Sequence, residues 1–245
     1  MKRTWPALIS FAALLIVFEF LVRKEVFSAS LIPAPSMVLM TMQELSDDFV
    51  QAFKETFSNV LAGWVLSLAL GTGVAFVFSL SDLLKRAILP FAVFFQTVPI
   101  IAIAPLLVIY FGFGAPTVIA SSFIVSVFPV IANTLMGLES ASEQQKDLFR
   151  LYQANSLQIL TKLKLPCAYP YILSGLKISA GLSIVGAIAG EFVAGGGLGA
   201  LIDSARTQQR VDIVFAALLL LSLMGLFFMA LLSLINSIIQ KQRPF

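Results

Sequence analysis

The chain has 245 residues, 59% of them hydrophobic and 12% charged, against about 25% charged in soluble domains. With 22 Phe, no His and a net charge of +3, this is the composition of a polytopic membrane protein. One cysteine excludes an intrachain disulfide. The missing His and scarce Cys argue against a zinc or haem site and against His- or Cys-based catalysis, so no metal and no cofactor are expected.

A membrane helix needs about 20 mainly apolar residues. Runs that meet this fall at 7–23, 53–80, 87–110, 115–138, 169–194 and 212–239. They predict an all-α fold of six spans in one domain, residues 1–245. Met1-Lys2-Arg3 and the apolar run behind it have the outline of a signal peptide. No small-residue cleavage site follows closely, so a retained first span is expected. Glu19, late in that span, has Arg23 one turn on and reads as a pairing or snorkelling residue. After it come Pro33, Pro35 and a polar stretch, Ser36 to Asp48, expected to lie along the outer surface as a helix.

Lys and Arg set the orientation. With the N-terminus inside, inner segments hold Lys2, Arg3, Lys85, Arg86, Lys146, Arg150, Lys162, Lys164, Lys241 and Arg243. Outer segments hold Arg23, Lys24, Lys54, Arg206 and Arg210, and Lys177 falls inside the fifth span. The bias predicts cytoplasmic N- and C-termini and a cytoplasmic loop at 139–166.

Polar groups inside spans are the default candidates for a transport path. In the third and fourth spans these are Gln96, Thr97, Ser121, Ser122, Ser126 and Asn133. Ser122, Ser126, Pro129 and Asn133 repeat at helical spacing and share one face. That face lines a path or packs on another helix, since small and hydroxyl residues serve both uses in lipid. Pro99, Pro105 and Pro129 free carbonyls that must point into protein or water. In the fifth span Gly181, Gly186 and Gly190 invite close helix approach. Glu191 either gates the path or is a structural acid bonded to the glycine-rich segment 195–199.

The loop at 139–166 is polar between apolar runs. Glu143, Lys146, Asp147 and Arg150 share one helical face, with opposite charges three residues apart. Leu148, Leu151, Tyr152 and Asn155 share the other. The pattern predicts a short amphipathic helix from Ser142 to Tyr152. Its apolar side meets either a protein partner or the headgroup layer.

This loop resembles the coupling loop of binding-protein-dependent ABC importer permeases. Asp147 stands where that family has Glu, Leu148 and Phe149 where it has two alanines, and Gln153 where it has glycine; Leu165-Pro166 match. Three further stretches resemble the sulfonate, taurine, nitrate and thiamine-pyrimidine-precursor branch. They are Ile32-Pro33-Ala34-Pro35-Ser36; Gln96-Thr97-Val98-Pro99 with Ala104-Pro105-Leu106 and Phe111-Gly112-Phe113-Gly114; and Glu191 with Gly197-Leu198-Gly199.

The resemblance implies an inner-membrane permease subunit that works as a homodimer. A cytoplasmic ABC ATPase dimer and an external solute-binding protein would be its partners. Its solute would be a small organic molecule or anion such as a sulfonate, taurine, nitrate or a pyrimidine vitamin precursor. It implies ATPase coupling through Glu143, Lys146, Asp147, Leu148, Phe149, Arg150, Leu151, Gln153, Leu165 and Pro166. The chain has no Gly-x-x-x-x-Gly-Lys-Ser/Thr loop, so it is not expected to be an enzyme and ATP hydrolysis falls to a partner. Gln153 in place of glycine predicts a helix that runs on past that point, and the bulky Leu148 and Phe149 predict a dedicated ATPase. A self-sufficient secondary transporter or a non-transporting scaffold are the alternatives; the first lacks the expected inverted repeat.

Overall fold

The computed structural model describes residues 5–24 and 31–242, and these are helical with no strand among them. The helices are α1 (Trp5–Arg23), α2 (Pro35–Glu44), α3 (Ser46–Leu80), α4 (Asp82–Thr97), α5 (Ile100–Phe111), α6 (Ala115–Glu139), α7 (Glu143–Leu151), α8 (Ser156–Ile159), α9 (Leu165–Ala194), α10 (Gly197–Thr207) and α11 (Val211–Gln242). A π-helical turn, Leu160–Lys164, joins α8 to α9. Four helical stretches are long and apolar enough to cross a membrane: Ser46–Leu80, Ala115–Glu139, Ser156–Ala194 and Val211–Lys241; Ile100–Phe111 is apolar but shorter.

Two departures from the predicted spans matter. The run 87–110 is two helices, because the chain breaks at Val98-Pro99 and Pro99 caps α5 in extended geometry (φ −59°, ψ 125°). Proline cannot supply the N–H that a continuous helix needs there. The polar stretch Ser36–Asp48 is likewise divided: α2 ends at Glu44, and Ser46 opens α3, which has 35 residues. At 1.5 Å per residue that is about 50 Å, more than a hydrocarbon core requires.

The described residues form two compact units. One comprises residues 1–56 and 196–223. Within it Glu19 accepts from Ser36 N (3.0 Å), Ser36 Oγ (2.7 Å) and Arg23 Nε (2.6 Å), tying α1 to the start of α2. Thr41 Oγ1 donates to Asp212 (2.7 Å), which also holds Arg210 (2.7 Å).

The second unit comprises residues 57–195 and 224–245. Its centre is α6, packed along α9. The two can approach because glycines face the neighbouring backbone. A Cβ on Gly186 would lie 2.6 Å from Ser121 O, and one on Gly190 would lie 2.9 Å from Ser121 Oγ. On another side of α6, a Cβ on Gly63 of α3 would lie 2.5 Å from Ser122 Oγ, and Ser67 Oγ meets Ser126 Oγ at 2.6 Å. Without a hydrophobic drive between helices in lipid, such close packing supplies the cohesion. Trp64, Phe57, Phe227 and Phe228 add a ring cluster with centroids 5.4–6.0 Å apart.

Candidate functional site

The segment between α6 and α9 is built from local rules. Ser142 Oγ accepts from Gln145 N (3.3 Å) while Gln145 Oε1 accepts from Ser142 N (3.0 Å), a capping box that starts α7. Lys146 pairs with Glu143 (2.8 Å) and Arg150 with Asp147 (2.9 Å), the i,i+3 pairs expected from the spacing. The Glu143 carboxyl is held below its ordinary pKa, first by the hydrogen bond from Lys146 and then by its charge. Lys85 at the start of α4 pairs with Glu139 at the end of α6.

The end of α7 corrects an expectation. The helix does not run on past Gln153: it stops at Leu151, and Gln153 sits at φ +53°. Gln153 N donates to Arg150 O (2.9 Å) and Ala154 N to Phe149 O (3.0 Å). These are the two bonds of a Schellman motif, in which the left-handed position usually holds glycine. Two satisfied carbonyls thus hold a side chain where it is disfavoured by about 1–2 kcal/mol. Gln153→Gly should relieve about 1 kcal/mol. The check is hydrogen exchange, where protection of the Gln153 and Ala154 amides should rise about fivefold.

Directly after the turn, Asn155 Oδ1 accepts from Gln158 N (2.8 Å) and Gln158 Oε1 from Asn155 N (2.9 Å), a second capping box. It launches a helical stretch that continues through the π turn into α9, so 156–194 is one rod. Leu165 and Pro166 fall in its interior, half-buried, where α9 begins. Leu148, Leu151, Tyr152 and Leu157 are exposed, Leu151 and Tyr152 by 81% and 80%, while Phe149 is half-buried. Between the charged face of α7, α8 and the end of α3 lies a hollow of about 560 Å³ lined by Ser79, Glu143, Lys146, Arg150, Leu157 and Lys164.

The predicted path residues divide. Gln96 and Thr97 are exposed at the α4–α5 break and line a hollow of about 210 Å³ with Val98, Pro99, Ile124 and Leu182. Gln96 also lines a neighbouring, more apolar hollow of about 480 Å³ with Ile103, Phe123 and Val127. Asn133 is half-buried and donates to Pro129 O (2.9 Å). Ser122 and Ser126 have no exposed surface in this conformation and belong to the seams around α6. Glu191 is also buried, and its backbone carbonyl accepts from Gly195 N (2.9 Å). Gly186 and Gly190 face α6, but a Cβ on Gly181 would meet nothing within 4 Å.

Two contacts went unforeseen. Gly197 N donates to Glu55 Oε2 (3.1 Å) and Leu198 N to Thr56 Oγ1 (2.8 Å), so α3 caps the first turn of α10. Gly195, Gly196 and Gly197 all have positive φ, and a Cβ on Gly196 would overlap the Glu55 carboxylate. The glycine run in the sequence marked the turn; nothing marked Glu55 as its partner.

The described residues are helical and carry a capped, amphipathic helix on a rod long and apolar enough to cross a membrane. The model of the family described as binding-protein-dependent transport system inner membrane component matches residues 66–241, and the chain belongs to that family. It is 31% identical over 248 residues to the formylaminopyrimidine transport permease protein ThiX of Halalkalibacterium halodurans, covering 99% of both chains. It is 32% identical over 220 residues to a probable ABC transporter permease protein of Haemophilus influenzae, covering 89% of this chain and 90% of the relative. It is 29% identical to the riboflavin transport system permease protein RibX of Chloroflexus aurantiacus, covering 97% and 91%. The fold matches a chain of the inward-facing MetNI methionine ABC transporter at TM-score 0.68 and 18% identity, covering 80% of this chain and 96% of that one. The protein is therefore a multi-pass inner-membrane permease subunit of a binding-protein-dependent ABC importer; neither a secondary transporter nor a scaffold is favoured.

Proposed function

We propose that two copies of this chain form the translocation path and that α7 of each docks on a cytoplasmic ATPase, with both termini on the same side. The observation that carries this reading is the exposed apolar face of α7 on a helix fixed at both ends. Leu151 and Tyr152 are about four-fifths exposed and Leu148 about half, and the capping box and Schellman turn keep α7 rigid enough to transmit a push. Glu143, Lys146, Asp147 and Arg150 form its charged rim. ATP-driven closure of the ATPases moves α7, the rod behind it tilts, and the two permeases exchange inward- and outward-open populations. ATP hydrolysis falls to the partner, and an external binding protein delivers the solute. Gln96 and Thr97 at the α4–α5 break line the path, where freed backbone groups meet water. Ser122, Ser126 and Glu191 keep the seams beside it closed.

The test is copurification from native membranes of tagged wild type and of Asp147→Lys plus Arg150→Glu. The exchange keeps an ion pair three residues apart, so α7 itself should persist while its outward charge pattern reverses. An ATPase captured by wild type and lost by the variant is expected. No ATPase with either chain, both intact, would overturn the docking role.

A further inference from the structure

We propose that Lys177 faces water in the transport path and receives an anionic solute, so that the substrate is a small anion or carries an anionic group. The inference rests on the permease reading above and names its substrate class.

Lys177 is the one basic residue in the predicted spans 53–80, 87–110, 115–138, 169–194 and 212–239 apart from Lys54, at the very start of the second. It lies about 7 Å along the helix axis from the middle of the 169–194 run. A charge at that depth is costly unless it is paired or reaches water. Among the described residues Lys177 makes no ion pair and no hydrogen bond, and it is half-exposed. Its face of α9 is open. Ser174 and Ile178 are exposed beside it, Val185 two turns on is 55% exposed, and a Cβ added at Gly181, one turn on, would have no neighbour within 4 Å.

The opposite face of α9 is closed. Gly186 and Gly190 press against α6, and Ser179 accepts from Trp64 Nε1 (2.9 Å). The lysine is thus held on the free side of the rod that leads from α7, with no acid among the described residues of its own protomer to neutralise it. An ammonium in that position is complementary to a sulfonate, carboxylate, nitrate or similar anion. It repels cations and gives a neutral heteroaromatic no matching charge.

The test needs no knowledge of the natural solute. In a Cys167→Ser background, Gly181→Cys places a thiol one turn from Lys177, where the open space tolerates it. Its thiolate is titrated in membrane vesicles with two reagents, sulfonatoethyl methanethiosulfonate, an anion, and trimethylammonioethyl methanethiosulfonate, a cation. Each forms a mixed disulfide and releases methanesulfinate. The anionic reagent is itself an alkanesulfonate and so samples the proposed chemistry.

At about 6 Å in a wet path, one unit charge biases the ratio of anionic to cationic rates by about tenfold. That ratio should fall about tenfold in Lys177→Gln and be kept in Lys177→Arg. A thiol inert to both reagents would overturn the proposal, because position 181 would then face lipid or a dry contact with a second copy. An unchanged ratio in Lys177→Gln would also overturn it, with the ammonium drawn away to the headgroups. Copurification of the ATPase with the same variants is read separately. Its absence from both wild type and the Cys167→Ser chain would sink the docking role while the rate ratio still decides the lysine.

Discussion

Gly186→Val should abolish accumulation of folded protein, and Gly181→Val, five residues earlier on the same helix, should not. The reason is what each new Cβ meets. At Gly186 the nearest atoms are backbone, Ser121 O at 2.6 Å and Ser122 Cα at 2.9 Å. A side-chain neighbour can rotate away; a helix backbone moves only with its helix. The valine therefore forces α6 and α9 apart along the seam that also seats Gly190 and Gly175. Overpacking in a filled core costs about 1–3 kcal/mol even where side chains adjust, and here roughly 3 kcal/mol or more is expected. At Gly181 the new methyls enter open space and valine is a slightly better helix former than glycine. Size-exclusion profile and thermal midpoint in mild detergent compare the pair. Equal behaviour of the two variants would mean that the seam is not what holds the unit together.

Leu151→Glu plus Tyr152→Glu should leave the chain folded and inserted but end transport. Both side chains are about four-fifths exposed in the protomer, so the exchange costs the isolated chain little. In the docked complex each large apolar side chain contributes about 1.5–3 kcal/mol of burial, and each glutamate adds an unpaired charge to the contact. The combined loss is of order 5 kcal/mol, a factor of several thousand in affinity. ATPase copurification and solute-stimulated ATP hydrolysis in proteoliposomes report it. Retained stimulation would place the contact elsewhere on the segment. This variant differs from the charge exchange in α7: one removes the apolar grip, the other the register around it.

Much of the fold was legible because lipid imposes a coarse rule. Apolar runs long enough to cross a membrane are conspicuous, and all four of the long apolar stretches overlap predicted spans. The amphipathic α7 was also legible, to within a residue at each end. The extension through α8 was present in the sequence as Asn155-x-x-Gln158, the same capping signal as Ser142-x-x-Gln145, but the loop reading stopped at the prolines. Pro166 follows the π turn at the start of α9 and Pro170 lies one turn further on, and neither ends the helix. Gln153 misled for a different reason. Intrinsic preference opposed a left-handed residue, and two hydrogen bonds from the turn overrode it. Ser122 and Ser126 show the limit of periodicity. Helical spacing places them on a common face without saying what covers that face, and here the cover is Gly63 and Ser67 of α3. Glu55 was beyond reach because its partner lies 142 residues away and no local pattern links the two.

The unbroken helix from Ser156 to Ala194 has a mechanical consequence. Its 39 residues make a lever about 58 Å long. Pivoted at its inner end, a tilt of about 10° carries the far end some 10 Å, wider than a small solute. In the proposed arrangement most of the gate's travel comes from leverage, with an angular change of about 10° at the ATPase end. The π turn at Leu160–Lys164 sits near the fulcrum, where a change in stiffness alters the gearing and leaves the gate itself untouched.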